Sequence, residues 1–183
     1  GLVGSEMCIR DSLVVGALTA NNATGGDIAL THGGNLNLEG NIIAGDTFSI
    51  TSGPSTLITV GKVVSGTAVA IDVNNSDVVF GTNVDLVQNL SVTNRNNKNV
   101  GFSGFLDSSA SGQKNLTIIT PGTVTFAKTV GQIATSRLGD IVVNTGAIGL
   151  TASGDVNAKS LNSGTVSGPI NMVGIQNYNG ANG

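Results

Sequence analysis

Tryptophan is absent, aromatic residues make up 3% of the chain, charged residues make up 10%, and the single cysteine is Cys8. Each shortage excludes something. One cysteine cannot close an intrachain disulfide or furnish a cysteine-rich metal site. The eight lysines and arginines form no cluster with interleaved aromatics, so the electrostatic footprint of a nucleic-acid binder is missing. No apolar run approaches the ~18 residues of a membrane-spanning helix. No stretch keeps the i, i+3, i+4, i+7 stripe of an amphipathic helix, which sets aside helical bundles and α/β enzymes. Low charge with few aromatics is also a composition of disordered chains, but aliphatic and β-branched residues alternate here too regularly for that.

What is present is a repeat. Pairs of apolar residues one position apart recur as Leu36/Leu38, Ile58/Val60, Val78/Phe80, Val100/Phe102, Val124/Phe126, Ile148/Leu150 and Ile170/Met172. Successive pairs are 20 to 24 residues apart, a period typical of solenoids. Period-2 alternation inside each copy predicts a strand with one buried face. Turn chemistry precedes each pair, as in His32-Gly-Gly-Asn35, Asn74-Asn-Ser76 and Thr120-Pro-Gly122, and the three prolines (Pro54, Pro121, Pro169) all fall at this corner. A small residue follows each pair: Gly40, Gly61, Gly81, Gly104, Ala127, Ala152 and Gly174.

The first twelve residues share nothing with this pattern. Gly1-Leu-Val-Gly-Ser-Glu-Met-Cys-Ile-Arg-Asp-Ser12 resembles a translated sequencing adaptor, and residues 1–12 are expected to lie outside the fold. A rival reading is a signal peptide built on Met7, Arg10, the apolar run from Leu13 to Leu18 and a cleavage site at Ala17-Leu-Thr-Ala20. Without Arg10, Glu6 and Asp11 the 8 basic and 11 acidic residues fall to 7 and 9, and no cysteine remains.

Residues 13–183 read as one repeat domain of about seven coils: 25–45, 46–66, 67–88, 89–113, 114–136, 137–159 and 160–180. Most carry three short apolar sets separated by corners; Val69/Ile71/Val73, Val78/Phe80 and Val84 are one example. Three sets per coil predict a right-handed parallel β-helix, truncated and uncapped at both ends. Short strands every 8–12 residues also fit an antiparallel β-sandwich, which is the alternative. A lone coil cannot offset the entropy of ordering itself, so neighbouring coils are the first partners. Uncapped ends are expected to associate end to end.

Asn115-Leu-Thr-Ile-Ile-Thr-Pro-Gly-Thr-Val-Thr-Phe126, Leu138-Gly-Asp-Ile-Val-Val143 and Ile175-Gln-Asn-Tyr-Asn-Gly180 resemble the strand-repeat passenger regions of large bacterial surface adhesins, of the filamentous-haemagglutinin and autotransporter kind. The resemblance implies export by a Gram-negative cell and a secreted or cell-surface location. It also implies an adhesive, shaft or spacer role, with host or other-cell glycans or proteins as partners. It brings no catalytic, cofactor or metal residues, and the segment itself is expected neither to enter a membrane nor to bind nucleic acid.

Candidates for chemistry are few. His32, the only histidine, is expected to be an exposed loop residue. Nine acidic residues of the repeat stand singly, and Asp72, Asp77 and Asp85 come nearest to the converging carboxylates a β-helical polysaccharide lyase or glycoside hydrolase needs. Solvated rim positions are the competing reading. Asn94-Arg-Asn-Asn-Lys-Asn99 is either a binding loop or an ordinary turn in which Asn accepts left-handed geometry. Ice-binding Thr-x-Thr rows would have to recur at one phase, and Thr123-Val-Thr125 stands alone. The sequence therefore favours a non-enzymatic surface segment. A β-helical carbohydrate-active enzyme and a ligand-free stalk or surface-layer module are the alternatives.

Overall fold

The computed structural model describes residues 8–9, 13–16, 18–20, 26–53, 56–62, 67–108, 113–132, 134–144, 149–163 and 166–178. Strands come mostly in threes. The first coil gives β1 (Cys8–Ile9), β2 (Leu13–Val15) and β3 (Leu18–Ala20). The next two give β4 (Ile28–His32), β5 (Leu36–Leu38), β6 (Ile42–Ala44), then β7 (Phe48–Ser52), β8 (Leu57–Val60), β9 (Val69–Val73). They are followed by β10 (Val78–Phe80), β11 (Asn83–Leu86), β12 (Leu90–Asn94), and by β13 (Val100–Phe102), β14 (Leu106–Asp107), β15 (Leu116–Ile119). The remainder are β16 (Thr123–Phe126), β17 (Leu138–Asn144), β18 (Gly149–Ala152), β19 (Val156–Asn162), β20 (Ile170–Met172) and β21 (Gln176–Tyr178).

Like members stack. The first face orders β1-β4-β7 and, past an interruption, β10-β13-β16-β18-β20. The second face stacks β2-β5-β8-β11-β14, continued by single bridges from Leu106 to Val130 and from Val130 to Val156. The third runs β3-β6-β9-β12-β15-β17-β19, and β21 pairs with the first half of β19 where that strand rounds a corner. All pairings between these strands are parallel. The chain is a parallel β-helix, and the antiparallel sandwich does not apply.

The interior follows from the alternation. In β9 and β12 the first, third and fifth residues are buried, and in β10 and β13 the first and third. Because neighbouring strands are in register, identical positions form columns along the axis. Phe80, Phe102 and Phe126 make one column, with ring centroids 4.8 and 5.5 Å apart and planes inclined by 10° and 22°. Ala152 and Met172 extend it. Offset aromatic stacking adds to the area that each ring buries.

The phase differs from the expected one in the first half. Leu36/Leu38 and Ile58/Val60 belong to the second face, and Ile58 pairs with Val84 rather than with Val78. The step from Ile42 to Ile71 is 29 residues and that from Ile58 to Val84 is 26, because the coil that contains β7 and β8 is longer than its neighbours. The proline corner is likewise not one corner. The stretch with Pro54, which itself lies outside the described residues, joins β7 to β8, whereas Pro121 and Pro169 precede strands of the first face. Val64, Ile148 and Gly180 also lie outside the described residues.

Strands begin earlier than residue 25. Cys8–Ile9, assigned to the leader on sequence, lies beside Thr31–His32 in parallel register; the other residues of 1–12 are outside the described set. At two of the small-residue corners, coils approach so closely that a side chain is excluded. A Cβ on Gly104 would stand 2.4 Å from the carbonyl carbon of Thr82, and one on Gly174 the same distance from that of Gly154.

Candidate functional site

The carboxylates were the first candidates, and most serve the stack. Asp27 accepts both the hydroxyl hydrogen (2.6 Å) and the backbone N–H (3.1 Å) of Thr47, one coil on. These two bonds, the hydroxyl first, hold its pKa below the ordinary aspartate value. Asp77 accepts the N–H of Asn99, Asp107 that of Gln132, and Asp155 that of Ile175. Asparagines at equivalent places do the same. Asn35 receives Leu57 N–H, Asn83 receives Phe105, Asn89 receives Asn115, Asn99 receives Thr123, and Asn115 receives Asp140.

The rule is local. Except for Asp107, which ends β14, the Asp or Asn stands immediately before the first inward aliphatic of a strand, as in Asp77-Val78, Asn83-Val84, Asn89-Leu90, Asn99-Val100 and Asn115-Leu116. There the ladder is opening into a corner, and the side-chain oxygen supplies the acceptor that the ladder lacks. Sequence reading missed these residues as a class. The signal was an Asx-aliphatic dipeptide recurring at many corners.

Asp72, Asp77 and Asp85 do not converge. Asp72 is on the third face in an ion pair with Arg95, Asp77 is at the corner before β10, and Asp85 is on the second face. Asp85 instead stands in register beside Asp107. The two border a groove of about 390 Å³ lined also by Leu57, Asn83, Gln132 and Ser136. Asp107 is already occupied, accepting from Gln132 N and Nε2 and from Ser136 Oγ at 2.8, 2.6 and 3.1 Å. Among the described residues no three His, Cys, Asp or Glu side chains gather to hold a metal ion.

His32 is a correction. It is not an exposed loop residue but the last, inward-facing residue of β4, 1% exposed. Its Nδ1 is 2.6 Å from the carbonyl oxygen of Gly34, and its Nε2 is 2.8 Å from Ser52 Oγ. A carbonyl only accepts, so Nδ1 carries a proton, and whenever the ring is neutral Nε2 receives the Ser52 hydroxyl hydrogen. Ser52 is partly exposed, directly above His32 in register, and ends β7.

This pair sits at the interruption of the first face. β7 has five residues and β10 three, and no ladder joins them. Asn75 N–H donates to Asp46 O at 2.8 Å at the near edge of the gap, and Ser76 bridges it, its hydroxyl accepting Phe48 N–H at 2.7 Å and donating to Phe48 O at 3.1 Å. Alternate residues of a strand turn both backbone groups to the same side. Since Thr47 O receives Ile28 N–H and Gly53 N–H reaches His32 O, the intervening Phe48, Ile50 and Ser52 turn away from β4, toward the side without a ladder.

The asparagine loop takes the ordinary-turn geometry. Asn96 and Asn97 have φ of 58° and 57°, and buried Asn94 ties the loop by donating to Ser76 O and Asn99 O. Thr125 does have outward neighbours in its row, Gly101 and Thr151, but the row continues to Asn171 rather than to threonine. Among the described residues no helix is long and apolar enough to cross a membrane. No family model, curated protein or solved structure matches the chain.

Proposed function

We propose that the chain is a non-enzymatic shaft or spacer of a secreted or cell-surface β-helical protein, serving adhesion by holding other parts of a long molecule away from the cell. One observation carries this reading: the acidic and amide side chains at the corners are spent joining each coil to the next, and so build length rather than a site. The adhesin-passenger resemblance of residues 114–180 agrees with it, and implies a Gram-negative surface. A carbohydrate-active β-helix is the second reading, favoured by Asp85 and Asp107 on adjacent coils along one groove.

The two separate in one experiment. The purified chain is incubated with a panel of acidic and neutral polysaccharides while new reducing ends are measured. In parallel, beads coated with it are tested for retention on cultured cells and immobilised glycans. The shaft reading expects no chain cleavage. Cleavage that disappears in Asp85→Asn or Asp107→Asn would replace it with the enzyme reading. Bead retention separates an adhesive segment from a ligand-free stalk.

A further inference from the structure

We propose that Ser52 is an acyl-accepting nucleophile, with His32 as its general base and its own backbone N–H as the donor for the developing oxyanion. The three parts rest on separate observations. The tautomer of His32 is fixed by Gly34 O, which leaves Nε2 as an acceptor 2.8 Å from Ser52 Oγ. A serine is a weak nucleophile until a base in hydrogen-bond reach takes its proton, and a base is oriented best when its second nitrogen is held. Ser52 is itself partly exposed at the end of β7, so it is reachable although His32 is buried. The alternation of β7 turns Ser52 N–H away from β4, toward the side on which β7 has no ladder partner. A backbone N–H adjoining a nucleophilic oxygen is the kind of donor that stabilises a tetrahedral oxyanion.

The substrate class is an ester of a good leaving alcohol. Ser52 Oγ attacks the acyl carbon as its proton passes to His32 Nε2, and the carbonyl oxygen takes up the negative charge toward Ser52 N–H. Collapse breaks the bond to the leaving oxygen, which takes the proton back from Nε2. The products are an O-acylated Ser52 and a free alcohol, with the imidazole neutral again. One acyl group is captured per chain, so the step marks the shaft and is compatible with a structural role.

The test uses an alkyl fluorophosphonate, whose phosphorus reports activated serines by forming an Oγ–P bond as fluoride leaves. The full chain is treated folded and, separately, in urea, and the modified residue is located by peptide mass mapping. The expected result is labelling of Ser52 about 100-fold faster in the folded chain than in urea, the lower end of what general-base assistance provides. Labelling should vanish in Ser52→Ala and fall by a similar factor in His32→Gln, which keeps hydrogen-bonding capacity without basicity. Equal rates folded and unfolded, or label spread over other serines, would overturn the proposal. So would full labelling of His32→Gln. Should His32→Gln fail to fold, the folded-against-urea comparison on the unmodified chain decides alone.

Discussion

Replacing Phe102 by alanine isolates what the aromatic column contributes. The ring is 1% exposed and stands between Phe80 at 4.8 Å and Phe126 at 5.5 Å, so it touches an aromatic face on both sides. Truncating a buried phenylalanine costs about 3–5 kcal/mol when the surroundings cannot collapse. Collapse is hindered here because the backbone spacing along the column is set by the ladders on either side of β13. Phe126 supplies the internal control. It is as well buried but meets Ala152 on its far side, so it loses one ring contact rather than two. A stacked pair is worth about 0.5–1.5 kcal/mol beyond its area, and Phe102→Ala should therefore exceed Phe126→Ala by about 1 kcal/mol. Urea unfolding of the two variants and the parent, followed by circular dichroism, measures both quantities. A loss under ~1 kcal/mol at Phe102, or a larger loss at Phe126, would refute the column as an energetic unit.

Asn115→Ala removes the acceptor for Asp140 N–H from a partly buried corner and should cost about 1 kcal/mol in the same assay, with Asn115→Asp recovering most of it. Asp27 has a folded pKa below its unfolded one, so its contribution is present above the ordinary aspartate range and is lost as pH falls through the folded value. Thermal melts taken from neutral pH down to about pH 2 should show a declining midpoint, and the decline should be shallower in Asp27→Asn. Gly104→Ala would force a Cβ to within 2.4 Å of the Thr82 carbonyl carbon and 2.5 Å of Asn83 N. Both are backbone atoms, so the coils must part, and the substitution should destabilise by about 1–3 kcal/mol; an unchanged unfolding midpoint would contradict the close approach.

Strand-by-strand, the sequence is transparent because a half-buried strand must alternate, and Val78/Phe80, Val100/Phe102 and Val124/Phe126 are spaced as they stack. Phase was harder. An aliphatic pair does not say which of three faces it belongs to, and Ile58/Val60 stands 20 residues before Val78/Phe80, a plausible coil length. The actual partner lies 26 residues on, and nothing in the composition of residues 61–68 distinguishes a long corner from a missing strand. His32 failed for a related reason. Its partner Ser52 is a full coil away, so the contact exists only once register is known, and a glycine-rich neighbourhood suggested solvent. The corner Asp and Asn residues were legible in principle, since a strand entering from a corner lacks one acceptor and a short polar side chain just before it can supply one.

The interruption between β7 and β10 also bears on how the molecule carries load. Ladder bonds in a β-helix lie along its axis, so tension on the ends pulls coils apart one at a time, each releasing 20 to 29 residues of slack, about 70–100 Å of contour. Where three faces are laddered, a coil yields only when all three give way. Between Phe48–Ser52 and Val78–Phe80 the first face contributes no ladder; the Ser76 hydroxyl and the bond from Asn75 N–H to Asp46 O hold the corner. A pulled shaft of this kind would have its fuse there, parting first between β7 and β10, while β4 and β7, with His32 and Ser52, stay laddered.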